Sequence, residues 1–216
     1  MRIRNRIAWI VLMAVLMAAG AQVSVPMVPV PMSLQTLFVL LAGFVLGPVD
    51  GALAAVVYLA AGALGLPVFA GGSAGFATLL GPTGGFLVSF VAMAAAAGLA
   101  VRGRPRALTW KAGLIVGGAA SLLAFVVGVP WLKIAAEIPW TRAFEVGMLP
   151  FLPGAVVKLL LAVALARFLR ARLARESTHE SAASGWRRVF GQASLEAVAE
   201  VDAIVADEFN TIDPDT

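Results

Sequence analysis

Lys158 is the residue of this chain best placed to do chemistry. It stands alone in the run from Phe151 to Ala166, which carries no other charge. An ionisable group at membrane depth costs a few kcal/mol unless water or a partner offsets it, so it marks a functional site by default. Lys158 lies about 8 residues from Pro150, or ~12 Å along a helix. That is deep for the snorkelling that carries a lysine head to the nearer interface. An ammonium so placed can hold an anion, donate a charged hydrogen bond, or serve a serine nucleophile as base. Ser73, Ser89 and Ser121 are serines of the apolar region, and nothing around them marks one as activated. The chain has no cysteine, and its one histidine, His179, falls in a polar tail. Thiolate sites and histidine-based metal or catalytic centres are thereby excluded from the apolar part. Gly81-Pro82-Thr83-Gly84-Gly85 lacks the Gly-Lys-Ser/Thr ending of a phosphate loop. Any coupling to ATP must come from another subunit.

The elements that position Lys158 are apolar runs. The chain has 216 residues, 61% of them hydrophobic and 13% charged, against about one charged residue in four in soluble domains. It reads as an all-α integral membrane protein. Apolar segments fall at 7–24, 33–47, 50–66, 82–101, 112–130 and 150–169, which predicts six spans. The second and third are short for spans of ~20 residues, consistent with tilt or a broken pair. Arg2, Arg4 and Arg6 before the first run resemble a signal peptide's basic region, but the spans that follow make the first a retained helix. Arg102, Arg104, Arg106 and Lys111 join the fourth span to the fifth, and Arg167, Arg170, Arg172 and Arg175 follow the sixth. The alternate connections are uncharged or balanced. Cationic loops stay in the cytoplasm, so both termini are expected there.

The expected external loops are apolar and irregular. Pro26, Pro29 and Pro31 stiffen the first; the second runs from Gly65 through Gly71, Gly72 and Gly75 to Phe76. Non-helical backbone at membrane depth is tolerated where it lines a cavity, so these loops are expected to fold over the bundle as a lid. Phe69, Phe76 and Phe86 are candidate walls. Ala14 and Ala18 on the first helix, and Gly113 and Gly117 on the fifth, are small residues four apart, which lets helix backbones approach. This divides the chain into a membrane domain, 1–175, and an acidic tail, 176–216. Leu195, Val198, Val201 and Val205 recur there at helical spacing, as an amphipathic helix or a solvated, disordered segment.

Three stretches carry a resemblance. They are Val28-Pro29-Val30-Pro31-Met32-Ser33-Leu34-Gln35-Thr36; then Gly65 to Ser73 with Leu80-Gly81-Pro82-Thr83-Gly84-Gly85; then Pro150-Phe151-Leu152-Pro153-Gly154. Together, over about residues 7–170, they resemble the biotin-specific substrate-binding component, the BioY family, of energy-coupling-factor transporters. The resemblance implies a six-helix bundle in a bacterial-type inner membrane, surrounded by lipid, with both termini inside. It implies a biotin pocket near the outer face and no catalytic centre, cofactor or nucleic-acid partner. It also implies a transmembrane coupling subunit and two ATPase subunits as partners. The family's lysine falls on Lys158, its polar position after paired glycines on Ser73 beside Gly72, and its glutamine on Gln35. Phe76 is the aromatic residue that follows in the same loop. The family's alanine pair, which meets the coupling subunit, falls on Ala14 and Ala18. One position departs: Ala155 stands where the family commonly has aspartate. A carboxylate there would share a helix face with Lys158 at i,i+3 spacing. Lys158 is left to meet either the carboxylate or the ureido oxygen of biotin. A solitary carrier without ATPases, and an intramembrane Ser–Lys hydrolase, are the alternative readings.

Overall fold

Glycine, proline and charge set the ends of the helices. The computed structural model describes residues 3–103 and 108–173, together with Glu200 and Ala203. Helix α1 spans Ile3–Gln22. The segment after it folds back as an antiparallel ladder, β1 (Ser24–Val25) and β2 (Met32–Ser33), pairing Ser24 with Ser33 and Val25 with Met32. Helix α2 (Gln35–Leu46) ends at Gly47, whose φ of 86° is open to glycine, and Pro48 opens α3 (Pro48–Ala63) at once. A single 3-10 turn at Ala70–Gly72 and a short α4 (Phe76–Leu80) precede α5 (Gly84–Gly98). Helix α6 (Trp110–Ala135) starts at Thr109, whose side chain accepts from the Ala112 amide at 3.2 Å. Helices α7 (Trp140–Gly147) and α8 (Phe151–Leu173) follow.

Two expectations about the later elements are corrected. The fifth apolar segment does not stop at Pro130: α6 continues to Ala135. Proline removes a helix hydrogen bond, but Val129 and Leu132 are buried on either side and hold the helix together. The connection expected over 131–149 also contains α7, which buries Ala143 and Gly147 and exposes Trp140, Arg142, Phe144 and Glu145.

Among the described residues, four helices are long and apolar enough to cross a bilayer: Asn5–Gln22 of α1, Gly84–Val101, α6 and α8. Helices α2 and α3 have 12 and 16 residues, short of the ~20 needed to span alone. Small residues let them pack by backbone contact. A Cβ built at Gly43 would stand 2.8 Å from Ala97 Cβ and 3.0 Å from Gly98 N, and one at Gly51 would stand 2.8 Å from Gly43 Cα.

Charged side chains tie one end of this bundle. Arg6 Nε donates to both Asp50 oxygens, at 2.8 and 2.9 Å, joining α1 to the first turn of α3. An acidic residue there also complements the helix dipole. Arg170 Nη1 donates to the Phe44 and Val45 carbonyls at 3.1 and 3.2 Å. These belong to the last turn of α2, where carbonyls have no partner within the helix. Arg167 Nη1 donates to Leu108 O at 2.6 Å, and its guanidinium lies 5.3 Å from the Trp110 ring centre.

Ala14 and Ala18, the pair expected to meet a coupling subunit, both lie on the side of α1 that packs against this chain's own core. Ala14 is 7% exposed within the core, and Ala18 is half-buried against it. The small faces are filled by this chain's own helices. The outward row of α1 is Ile7, Val11 and Val15. A small-residue pair specifies close approach without specifying which helix approaches.

The chain divides into two units, Met1–Ala171 and Arg172–Thr216. The tail expected over 176–216 lies outside the described residues except for Glu200 and Ala203.

Candidate binding pocket

The pocket is built by folding irregular backbone onto helices. A cavity of about 220 Å³ lies in the bundle, far above the ~10–15 Å³ that a void measured this way needs to hold one water. Val30, Pro31 and Ser33 line it from the first loop, and Phe69, Ala70 and Ser73 from the second. Aromatic walls come from Phe86 and Phe90 of α5, Phe125 of α6 and Phe151 of α8. Phe86 and Phe151 stack at 6.4 Å with an interplanar angle of 24°. The expectation that the irregular loops line a cavity therefore holds.

Glycines make room for these rings. A Cβ at Gly128 would meet the Phe86 ring, and one at Gly85 would lie 2.6 Å from Trp131 Cγ. Trp131 Nε1 donates to Gly81 O at 2.9 Å. The Gly/Pro cluster at 81–85 thus serves as a seat for an indole. A Cβ at Gly62 would meet the Phe69 ring, which is 1% exposed. Gly62→Ala is therefore expected to cost roughly 1–3 kcal/mol by overpacking, read as a lower thermal midpoint in detergent. An unchanged midpoint would mean that the ring has room to move.

Lys158 is 7% exposed and borders the cavity. Its Nζ donates to the Ser33 carbonyl at 3.1 Å. Among the described residues no carboxylate pairs with it; the ion pairs there are Arg6–Asp50 and Arg142–Glu145. An ammonium has three donors, and Lys158 turns one of them to the ladder. Gln35, 6% exposed, also borders the cavity. Its Oε1 accepts from Ser33 Oγ at 2.9 Å, and its Nε2 donates to the Tyr58 hydroxyl at 2.5 Å.

The remaining sequence candidates divide. Ser73 and Ala155 line the cavity together with Lys158 and Gln35. Gly72 and Phe76 lie outside the cavity wall. Gly72 takes φ of 73° in the 3-10 turn, so it shapes the loop rather than facing the cavity. Phe76 opens α4 directly after Gly75 and is 63% exposed. Ser33, Tyr58 and the hydroxyl of Thr36 were missed. Thr36 lines the cavity, and its buried Oγ1 has no hydrogen-bond partner. The sequence signal for Ser33 and Thr36 was their place beside Gln35. Tyr58 had none beyond being the chain's one tyrosine.

The geometry does not assemble a Ser–Lys pair. Ser73, Ser89 and Ser121 donate to the carbonyls of Ala70, Phe86 and Gly117, at 2.9, 2.6 and 2.8 Å. The contact of Lys158 with Ser33 is to a carbonyl, which cannot be activated as a nucleophile.

A bundle of apolar helices around an apolar cavity, with one ammonium and one amide on its wall, defines a membrane protein that holds a small molecule. The chain belongs to the BioY family, whose model matches residues 1–175. It is 42% identical to a probable biotin transporter BioY of Pyrococcus horikoshii over 166 residues, covering 77% of this chain and 96% of that one. It is 36% identical to the biotin transporter BioY of Thermotoga maritima over 156 residues, covering 72% and 89%. Among solved structures, it resembles the S-component for biotin from an ECF-type ABC transporter. The TM-score is 0.71 and the identity 28%, over 77% of this chain and 90% of that one.

Proposed function

We propose that this chain is the biotin-binding subunit of a biotin importer, and that the cavity beside Lys158 is its substrate site. One observation carries the reading: a buried ammonium borders an apolar cavity and pairs with no carboxylate among the described residues. Biotin complements it with apolar ring faces, a ureido group and a carboxylate. Lys158 donates to the ligand, and Gln35 and Ser73 supply further polar contacts. Phe69, Phe86 and Phe151 cover the ring faces. Ala155, one turn before Lys158 on α8, leaves the ammonium without a neighbouring charge.

The chain has no catalytic role in this scheme. Energy enters through partners, a transmembrane coupling subunit and two ATPase subunits, and biotin passes from the external face inward. The protein lies multi-pass in an inner cell membrane, with α2 and α3 completing six crossings and both termini in the cytoplasm. One feature supports the orientation and another the crossing. Arg6, Arg167 and Arg170 cluster at the end away from the cavity, as cationic ends do on the cytoplasmic side. Trp110 and Trp131 stand about 21 positions apart on α6, or ~31 Å, the spacing of aromatic belts across a hydrocarbon core of ~30 Å. Binding does not require the acidic tail, 176–216.

Calorimetric titration of the purified chain with biotin tests the reading. Saturable one-to-one binding is expected, and no heat at any concentration would refute it. Ala155→Asp sharpens the test, because a carboxylate at that position faces Lys158 at i,i+3. Affinity falls if Lys158 meets the biotin carboxylate and rises if the new group accepts from the ureido N–H. An unaltered affinity would place residue 155 outside the contact.

A further inference from the structure

Tyr58 touches the pocket nowhere, yet it is tied to both sides of it. The side chain is 1% exposed in α3 and is not part of the cavity wall. Its hydroxyl accepts from Gln35 Nε2 and donates to the Val68 carbonyl at 3.1 Å. Its ring meets Phe69 edge-on, with centroids 5.6 Å apart at 82°. Gln35 and Phe69 both line the cavity.

The hydrogen bonds form a chain with one direction. It starts at the Ser33 hydroxyl: Ser33 Oγ donates to Gln35 Oε1, Gln35 Nε2 to Tyr58, and Tyr58 to Val68 O, while Lys158 Nζ donates to the backbone carbonyl of the same Ser33. The direction is forced from the far end. A carbonyl has no proton to give, so Tyr58 must donate to Val68 and can only accept from Gln35. Gln35 must then present Nε2 to Tyr58 and Oε1 to Ser33. A flipped amide would draw the tyrosine proton away and leave the Val68 carbonyl without its donor. A buried polar group left unpaired keeps its desolvation cost with nothing to offset it, and linked bonds of this kind reinforce one another. The amide inventory leaves Gln35 one N–H and one oxygen lone pair outside the chain. Which of these faces a given point of the cavity is decided by a loop carbonyl, through Tyr58.

Resting on the reading of this cavity as the biotin site, we propose that Tyr58 is a positioning residue, which fixes the Gln35 amide orientation presented to the ligand and fastens the 66–75 loop through the Val68 carbonyl. It touches no ligand; it acts through Gln35 and Phe69. A ligand that engages the Gln35 amide meets a group already held by the loop through Tyr58, so occupancy of the cavity and the hold on the loop are linked.

Tyr58→Phe keeps the ring and its edge contact and removes the hydroxyl. Biotin affinity is expected to fall ~5- to 20-fold in the native background and by a smaller factor in Gln35→Ala, where only the hold on the loop is left to lose. An equal loss in both backgrounds, or none in either, would overturn the proposal. Hydrogen exchange of ligand-free protein is the companion measurement. Amides of residues 66–75 should exchange faster in Tyr58→Phe than in the native chain. Gln35→Glu should match it, since a carboxylate cannot donate to Tyr58 and takes its proton instead. Exchange unchanged in both variants would equally overturn the proposal. A native chain that fails to bind biotin would retire the substrate reading, while the exchange comparison would still decide the role of Tyr58.

Discussion

Lys158→Met is expected to weaken biotin binding by about 1.5–3 kcal/mol, the worth of one hydrogen bond from a charged donor, or roughly 10- to 150-fold in Kd. Methionine matches the length and flexibility of the lysine stem, so the cavity keeps its shape. The same change should leave the empty protein at least as stable. An ammonium in the centre of a membrane helix costs on the order of 2.5–3.5 kcal/mol. The single bond to Ser33 O returns only part of that. The signature is therefore a split: affinity falls while the thermal midpoint of ligand-free protein holds or rises. A Kd within threefold of native would remove Lys158 from the site. A fall in both quantities would make it a structural residue.

The largest effect on folding is expected at Gly43. A side chain there meets the Ala94 carbonyl and stands 2.8 Å from Ala97 Cβ and 3.0 Å from Gly98 N. Two of these three obstacles are backbone, which cannot turn aside as a side-chain tip can. Overpacking of this kind costs ~1–3 kcal/mol for small insertions. Gly43→Leu should exceed that and abolish monodisperse protein in size-exclusion chromatography. Gly118→Ala is the matched control, because its Cβ would lie 3.8 Å from Leu159 Cδ2, an ordinary contact. Equal behaviour of the two variants would show that α2 and α5 can separate at little cost.

Charge and hydropathy made the bundle legible. Each predicted span contains or overlaps a helix, and Lys158 was conspicuous as a lone charge. What escaped was structure held by contacts distant in sequence. Strands β1 and β2 have two residues each, too few for any alternation to register. Their role is to carry the Ser33 carbonyl to Lys158, 125 positions away. Tyr58 sat inside a run that reads as ordinary span, and only the fold brings Gln35 and Val68 to its hydroxyl. Phe76 stands out in sequence as an aromatic residue after a glycine-rich turn, and in the fold it is exposed. The sides of α1 were hidden for another reason. When nearly every residue is apolar, composition does not distinguish a face toward lipid from a face toward a neighbour. Ala14 accordingly lies in the core, with Ile7, Val11 and Val15 outside.

Biotin is placed in the space enclosed by the β1–β2 ladder, the Phe69 loop and α8. The most direct measurement is an experimental structure of the protein with biotin bound. A bicyclic ligand is expected between Phe86 and Gln35, with one polar group at ~3 Å from Lys158 Nζ. Biotin bound at another place, with this cavity empty or filled by side chains, would contradict it.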